Sequence, residues 1–320
     1  MLDTITVKND EMLDCHENLI ASYASSVGCD YEMMFIRAWD FRFGPAEQST
    51  TQLIGPRLSA QRTPDYEWLR QFHGISLEMN DRLSSDQVYR HVQEELLQNN
   101  PVAVGMDAYW CPWYKAPYQK MHFMHYTFVT RTDKDNGDLY GINIIEGSQP
   151  ARLPFTHFEQ GCLELTLFRR VAATQISLDW EKLLKQAAEK LLHNGRSLGT
   201  FDEMRQFAAS LVAVDIKAEV EGYTALPLIA PLFYETRETF RGRRQFAMAL
   251  DWMNRRAHTA VLADASAALQ DLSSRWRTVF DLLMKAYFSP EPAEVMAYIS
   301  TIVNGLADDE EKLAESILSV

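Results

Sequence analysis

The sequence predicts a mixed α+β domain over residues 1–175 and an all-helical domain over residues 176–320. Three observations support this division. Short β-prone runs alternate with helical patterns in the first half, whereas every later pattern is helical. The later half shows neither strand alternation nor an internal repeat. With 320 residues, 47% of them apolar, the chain is long enough for two hydrophobic cores.

Composition argues against several classes of function. The net charge of −13 disfavours a nucleic-acid surface, which requires a basic stripe. No apolar run approaches the ~18 residues of a membrane span, and residues 1–10 lack the features of a signal peptide. The four cysteines, which lack C-x-x-C spacing, are Cys15, Cys29, Cys111 and Cys162. The sequence therefore predicts a cytoplasmic protein with reduced thiols, no metal, and neither a nucleic-acid nor a membrane partner, and a homodimer is compatible with it.

A cysteine opens the first predicted helix. The apolar residues that share one face of this helix are Leu19, Ile20, Tyr23 and Ala24. Gly28 follows as the glycine that ends the helix. A thiol at a helix N-terminus meets the positive end of the macrodipole and free backbone N–H groups, and both stabilise the nucleophilic thiolate. The alternative interpretation of Cys15 is a packed and inert apolar residue.

The β-prone runs of the first half are residues 101–107, 122–131, 139–145 and 162–172. A strong turn signal, D-K-D-N-G at residues 133–137, joins the second run to the third and predicts a hairpin. Residues 148–161 are predicted as a loop and a short helix. In the second half, helices are predicted over residues 179–193, 235–256, 258–288, 293–305 and 308–318. A further helix is predicted with Thr200 as its N-cap.

Acyl chemistry at a cysteine requires a histidine to move the proton and a third group to orient the imidazole. His122 and His125 stand at the head of the second β-prone run, and their odd spacing puts them on opposite faces of a strand. Only one of them can therefore face the thiol. Asn143, on the neighbouring predicted strand, is placed to accept from the second ring nitrogen, with Glu146 as the alternative. Each residue alone has an ordinary structural interpretation, but the order Cys, His, Asn favours a joint one.

That order is the papain-like one, and the first half resembles the butirosin-biosynthesis H-type N-terminal domain family, which is similar to papain-like and C39-like cysteine peptidases. The resemblance rests on the motifs DCHENLIASYASSVGCDYEMMFIRAWDF, PVAVGMDAYWCPWYKAPYQKMHFMHYTFVTRTD, GINII and LPFTHFEQG, within residues 14–161. It implies a papain-like fold for the first domain. The helical remainder resembles the C-terminal part of such proteins less specifically.

The resemblance also implies an activity: transfer of an acyl group from a carrier-protein thioester to an amine in natural-product (nonribosomal peptide or polyketide-type) antibiotic biosynthesis. The implied nucleophile is Cys15, the base His125 and the orienting residue Asn143, where members of the family often have Asp. Papain-like enzymes place an amide side chain about six residues before the cysteine, which here is Asn9, to complete an oxyanion hole with the Cys15 N–H. No cofactor is implied, beyond the phosphopantetheine on which an acyl or peptidyl carrier protein presents the substrate.

An aromatic loop precedes the two histidines, at the end of the predicted strand 101–107. Loops in this position tend to line binding pockets. We therefore expect a substrate-binding wall made by Asp107, Tyr109, Trp110, Trp113 and Tyr114. The alternative is that these aromatic side chains only pack the loop against the core.

Several alternatives remain open at this point. A cysteine peptidase, amidase or thioesterase would use the same three residues, and transfer is favoured over hydrolysis only by the resemblance. A non-catalytic binding or scaffold protein is the rival from another class. The sequence also contains a run of basic residues, Arg237, Arg241, Arg243, Arg244, Arg255 and Arg256. We expect a solvated helix face there, with the docking of an acidic carrier protein as the alternative.

Overall fold

The structure, a computed structural model, describes residues 5, 7–45, 52–145, 147–174 and 178–319. It divides into two compact units: Met1–Tyr31 with Tyr66–Ile176, and Glu32–Asp65 with Ser177–Val320. The chain passes from one unit to the other after Tyr31, Asp65 and Ile176. The predicted first domain, residues 1–175, differs from the first unit over Glu32–Asp65, because that segment packs with the helices of the second unit.

In chain order, the helices are α1 (Cys15–Ser26), α2 (Tyr66–His73), α3 (Ser85–Leu97), α4 (Phe155–Gly161), α5 (Trp180–Leu192), α6 (Thr200–Leu211), α7 (Ile216–Glu219), α8 (Pro231–Ala257), α9 (Ala260–Phe288) and α10 (Ala293–Leu318). The strands are β1 (Arg42–Phe43), β2 (Leu58–Ser59), β3 (Ile75–Asn80), β4 (Val102–Asp107), β5 (Met124–Thr132), β6 (Leu139–Asn143), β7 (Gly147–Leu153) and β8 (Cys162–Arg170). No helix among the described residues combines the length and apolar composition needed to cross a bilayer.

The first unit is built on a six-stranded sheet in the order β3-β8-β4-β5-β6-β7, with antiparallel neighbours. The predicted mixed α+β class is confirmed. Strand β7 was predicted as part of a loop, since Pro150 and polar neighbours argue against a central strand. It lies at an edge of the sheet, where a proline leaves no ladder hydrogen bond unmade.

The two faces of this sheet are covered by different helices. On one face, α1 packs through His16, whose ring stacks on Tyr126, and through Tyr23, whose ring lies 5.1 Å from Phe168. On the other face lies the apolar core formed with α3 and α4, which includes Val88, Val92, Val102, Val104, Met106, Val129, Phe158, Leu165 and Leu167. Since side chains alternate along a strand, the even-numbered residues of β5 face α1 and the odd-numbered ones face α3.

Within the described residues of the second unit, 178–319 contain helices but no strand, as predicted for this half. Helix α10 is continuous, although two helices separated near Gly305 were predicted. A glycine inside a helix costs only about 1 kcal/mol relative to alanine, and the buried residues Val303, Leu306 and Ala307 carry the apolar face through that point. Gly199, and not Thr200, is the N-cap of α6.

A buried ion pair lies at the centre of the second unit. Arg243 of α8 and Glu310 of α10 are both inaccessible to solvent, and two N–H groups of the guanidinium donate to the carboxylate at 3.0 and 2.8 Å. The same carboxylate accepts from the indole N–H groups of Trp39 and Trp276, each at 2.7 Å. Arg243 also donates to the carbonyl oxygen of Asp40 at 2.7 Å. Hydrogen bonds to this one buried ion pair therefore join α8, α9 and α10 to the segment that contains Trp39 and Asp40.

The basic run of α8 is not a uniformly solvated face. Arg243 is fully buried, and Arg237 and Arg241 pair with the buried carboxylate of Glu238. The expectation of a solvated helix face is therefore wrong for these three residues. Arg237 and Arg241 share the Glu238 carboxylate with Arg62, so the run is not an open basic face as a whole, and docking of an acidic carrier protein stays a prediction.

Candidate active site

A capping box begins α1 immediately before the candidate nucleophile. The Asp14 carboxylate accepts from the Glu17 N–H at 2.8 Å, and the Glu17 carboxylate accepts from the Asp14 N–H at 2.9 Å. This arrangement satisfies N–H groups that the first helical turn leaves unpaired. The spacing D-x-x-E is readable in the sequence. Sequence reasoning did not predict this capping box, and Asp14 also bears on Cys15, because its charge acts on the thiol.

The Cys15 sulfur is surrounded by backbone N–H groups. Those of Cys15 and His16, at the start of α1, and that of Tyr126, on β5, are directed at the sulfur and lower its pKa. Burial of the thiol and the charge of Asp14 act in the opposite direction and prevail, so the pKa is raised to about 12. Although the residue as a whole is only half-buried, its sulfur is well shielded from water. The expectation of a stabilised thiolate is therefore wrong for the protein without substrate.

The Tyr126 N–H locates the sulfur relative to the sheet. Backbone N–H groups of a strand point sideways, within the plane of the sheet. Strand β4 pairs with β5 past Tyr126 as far as Met124, whereas the pairing of β6 with β5 extends only to Phe128. The sulfur therefore lies beside β5 at the edge that β6 leaves open. Because the Tyr126 N–H belongs to the peptide group that follows His125, the sulfur lies beside that peptide group.

His125 lies on the face of the sheet opposite α1. It pairs in register with Met106 and is 3% exposed, and the ring of Tyr114 lies 5.3 Å from its imidazole. Burial lowers the pKa of His125 to about 4, so the ring is neutral at pH 7. Its Nε2 is buried and has no hydrogen-bond partner among the described residues. No hydrogen bond joins the imidazole to the Cys15 thiol within that part of the chain.

Asn143 is fully buried at the end of β6. Extending the β5–β6 register by one pair sets it opposite Thr127, two residues from His125 and on the same face of the sheet. Its side-chain oxygen accepts from the Ile145 N–H at 2.8 Å. Nε2 of His125 has no partner among the residues described, so that nitrogen makes no hydrogen bond to Asn143, and the orienting role of Asn143 stays a prediction. Glu146, the alternative, lies outside the described residues.

His16, the residue after Cys15, is a second buried histidine in α1. Its ring stacks on Tyr126 at 4.3 Å between centroids, and its Nδ1 lies 3.2 Å from the Tyr66 hydroxyl. Its Nε2 is buried without a partner among the described residues. Burial lowers the pKa of His16 to about 4, against the opposing effect of Asp14. Adjacent positions in a helix point about 100° apart, and this explains why sequence spacing alone favoured His125.

The predicted oxyanion and substrate-binding residues fall in different environments. Asn9 is exposed, and no contact links it to the thiol in the described structure. In the aromatic loop, Trp113 is buried in the core together with Cys111, whereas Tyr109, Trp110 and Tyr114 are partly exposed. The loop thus both packs against the core and, through Tyr114, covers His125. Packing of the loop against the core is therefore observed, and the substrate-binding wall stays a prediction.

Asp107 has both carboxylate oxygens engaged. One accepts from the Tyr109 N–H at 3.1 Å, and the other lies 2.6 Å from His122 Nδ1. His122 in turn stacks on Tyr109, with 4.5 Å between centroids and an angle of 5° between the rings. Sequence reasoning named Asp107 for substrate binding and His122 as the histidine facing away from the thiol. It did not predict that the two would pair.

Two other thiols in this unit bear on its chemistry. Burial raises the pKa of Cys111 and of Cys162 to about 12, as it does for Cys15. Charges at Asp107 and at Cys15 act in the same direction on Cys111, which therefore lies within electrostatic reach of both.

Nowhere in the described structure do three or more His, Cys, Asp and Glu side chains converge as metal ligands would.

Comparison with known proteins adds no assignment. The chain matches no protein-family model, and no curated protein matches it significantly.

Asp14 provides a direct test of the electrostatics at the thiol. We expect Asp14→Asn to lower the pKa of Cys15 and to accelerate its alkylation by iodoacetamide at pH 8, because asparagine caps a helix about as well as aspartate but carries no charge. The measurement is peptide mapping of the alkylated protein over time. Cys162 in the same molecule is the internal control, and an unchanged ratio of Cys15 to Cys162 labelling would contradict the role given to Asp14.

Proposed function

We propose that the first unit is a cysteine-dependent acyltransferase in which Cys15 is the nucleophile and His125 the base. The observation that carries this proposal is the position of the Cys15 sulfur, at the N-terminus of α1 and against the Tyr126 N–H, one peptide unit from His125. A sulfur nucleophile at a helix start, beside a strand that carries a histidine, is the arrangement used by papain-like enzymes. This supports a papain-like interpretation of the mixed α+β unit.

The first half of the reaction would form a thioester on Cys15. The sulfur attacks the carbonyl carbon of the donor thioester while its proton passes to the neutral ring of His125. The N–H groups of Cys15 and His16, which point at the sulfur, would donate to the substrate oxygen on which negative charge develops, and such donors stabilise a tetrahedral intermediate. The carbon–sulfur bond of the donor then breaks, and the donor thiolate takes the proton from His125.

The raised thiol pKa and the lowered imidazole pKa fix the resting protonation state. With Cys15 near 12 and His125 near 4, both groups are neutral at pH 7. The thiol must therefore lose its proton during attack and not before it, as in serine enzymes. No hydrogen bond between the thiol and the imidazole is formed among the described residues. Catalytic hydrogen bonds are commonly long in such structures and shorten only in the substrate complex.

The proposed donor is an acyl group on the phosphopantetheine of an acyl or peptidyl carrier protein, and the proposed acceptor is an amine, in a natural-product pathway. This part of the proposal rests on the family resemblance of residues 14–161. The preference for an amine over water rests on it as well. A thioesterase or amidase would share the first half-reaction and differ only in the acceptor.

One observation favours a non-catalytic protein instead. Cys15, Cys111 and Cys162 all have their pKa raised to about 12, so Cys15 is not distinguished as a thiolate in the resting protein. A binding or scaffold protein that retained the fold would show this property. Reaction with a donor thioester separates the two functions, since only a catalyst forms an adduct.

The test is intact-mass detection of an acyl adduct after mixing the full chain with N-acetylcysteamine thioesters of several short carboxylic acids. We expect one adduct in the wild type, none in Cys15→Ala, and an unaltered adduct in Cys162→Ala. We also expect His125→Ala to slow adduct formation by about 10²-fold or more, a typical contribution of a general base. His91→Ala, on the exposed face of α3, is the matched control. Adduct formation that survives Cys15→Ala would contradict the proposal.

A further inference from the structure

A tyrosine and a carboxylate on two different strands of the first unit meet above a glycine. Gly105 of β4 pairs in register with Tyr126 of β5 on one side and with Glu164 of β8 on the other. Because directly paired residues point to the same face of a sheet, these two side chains flank the space above Gly105. The Tyr126 hydroxyl donates across that space to Glu164 Oε1 at 3.1 Å. The same oxygen accepts from the Thr166 hydroxyl at 3.0 Å, which holds the carboxylate in place.

The missing side chain of Gly105 makes this contact possible. A Cβ added there would lie 3.1 Å from Tyr126 Cε1, 3.2 Å from Glu164 Cβ and 2.8 Å from Met124 Sδ. The Gly105 backbone itself does not require glycine, because its φ is not positive. The close approach of the neighbouring side chains, and above all of the Tyr126 ring, therefore explains the glycine.

The Tyr126 ring also contacts the residue that follows the candidate nucleophile. The His16 ring stacks on it, with 4.3 Å between centroids and an angle of 23° between the ring planes. His16 is fixed in turn by the Tyr66 hydroxyl, which lies 3.2 Å from its Nδ1. Both stacked rings are buried. This stack is a direct side-chain contact between the first turn of α1 and strand β5.

We propose that Tyr126 is a positioning residue for Cys15, and that Glu164 holds the Tyr126 ring in the space that Gly105 leaves open. The ring fixes the start of α1 through His16, and the main-chain N–H of the same tyrosine is directed at the Cys15 sulfur. The inference rests on the proposed function for its effect on rate. The contact between the Tyr126 N–H and the sulfur is a property of the chain with or without that function.

Position matters at Tyr126 because His125 precedes it in the same strand. Neighbouring side chains of a strand point to opposite faces, so the Tyr126 ring and the His125 imidazole share one peptide group. A shift of the ring that moves this peptide group changes the place of the imidazole and of the N–H donor relative to the sulfur together. A misplacement of about 1 Å can slow a reaction by about 10²-fold.

The first experiment compares two substitutions of Glu164. Glutamine keeps an oxygen at the place of Oε1 that accepts from the Tyr126 hydroxyl, whereas alanine removes it. The probe is the acetyl thioester of N-acetylcysteamine. At saturating thioester, we expect the rate constant of adduct formation on Cys15 to fall about tenfold in Glu164→Ala and to stay within about twofold of wild type in Glu164→Gln.

Two controls separate positioning from a loss of folded protein. The half-saturating thioester concentration and the final amount of adduct should be unchanged in both variants, because partial unfolding lowers the amount of adduct and not its rate constant. Glu78→Ala, which removes a half-exposed carboxylate from the same sheet, should leave the rate constant unchanged.

The second experiment requires no activity. Amide hydrogen exchange at Tyr126 reports whether its N–H is held by the sulfur. We expect this amide to exchange about fivefold faster in Cys15→Ala and in Glu164→Ala than in wild type, and at the wild-type rate in Glu164→Gln.

The outcomes distinguish this inference from the proposed function. Equal rate constants in Glu164→Ala and Glu164→Gln, or a smaller amount of adduct at an unchanged rate constant, would overturn the positioning role and leave the acyl-enzyme in place. A wild type that forms no adduct, with faster exchange of the Tyr126 amide in Glu164→Ala, would overturn the proposed function and retain the contact. Unchanged exchange in Cys15→Ala would overturn the contact itself.

Discussion

Replacing Glu310 by glutamine is expected to destabilise the second unit by about 3–5 kcal/mol, the usual consequence of removing one partner of a buried ion pair. The substitution keeps the size of the side chain but leaves the Arg243 guanidinium, which is inaccessible to solvent, without a counter-charge. It also takes a carboxylate acceptor from the indole N–H groups of Trp39 and Trp276. The check is urea unfolding, combined with amide hydrogen exchange along α10.

The same helix provides the control. Glu315 is exposed, so Glu315→Gln is expected to change the free energy of unfolding by less than about 0.5 kcal/mol. The double variant Arg243→Met with Glu310→Leu should cost less than the sum of its single variants, because it removes both charges at once. A loss below about 1 kcal/mol in Glu310→Gln would show that water or a neighbouring group compensates the arginine.

The fold was predictable where the deciding interactions are local. The hairpin of β5 and β6 follows from a five-residue turn signal between two β-prone runs, and the start of α1 follows from a capping box. The assignment of Glu32–Asp65 to the second unit was not predictable, because it depends on partners far along the chain. Trp39 donates to Glu310 and the Phe43 N–H donates to Glu203, across 271 and 160 residues. No pattern within residues 32–65 specifies those partners.

The candidate site, like the fold, could be predicted from the sequence only in part. Residue types and their order along the chain pointed to Cys15 and His125, and the structure brings the Cys15 sulfur next to the peptide that follows His125. Their protonation could not be inferred from sequence, because it depends on how completely packing removes water from sulfur and imidazole. The pairing of Asp107 with His122 depends on the conformation of the aromatic loop between them. That loop spans 14 residues and contains two prolines, so spacing does not predict it.

Acidification is expected to destabilise the first unit between pH 6.5 and pH 4, because two of its histidines are buried in the neutral form. An unfolded histidine has a pKa near 6.5, whereas burial lowers the pKa of both His16 and His125 to about 4. Between those values the unfolded chain binds more protons than the folded one, so stability falls as the pH falls. Above pH 6.5 each histidine makes its full contribution to the free energy of unfolding. At pH 5 that free energy is lower by about 2 kcal/mol for each histidine.

Substitution identifies the residues responsible for this pH dependence. His125→Gln and His16→Gln should each remove about half of the change in unfolding free energy between pH 7.5 and pH 5, measured by amide hydrogen exchange in α1 and β5. His91→Gln, which replaces a half-exposed histidine on α3, should leave the slope unchanged. Equal slopes in all three variants and the wild type would mean that neither buried ring is held neutral. The neutral imidazole is also the form that accepts the Cys15 proton, so the same variants test the protonation state on which the proposed mechanism depends.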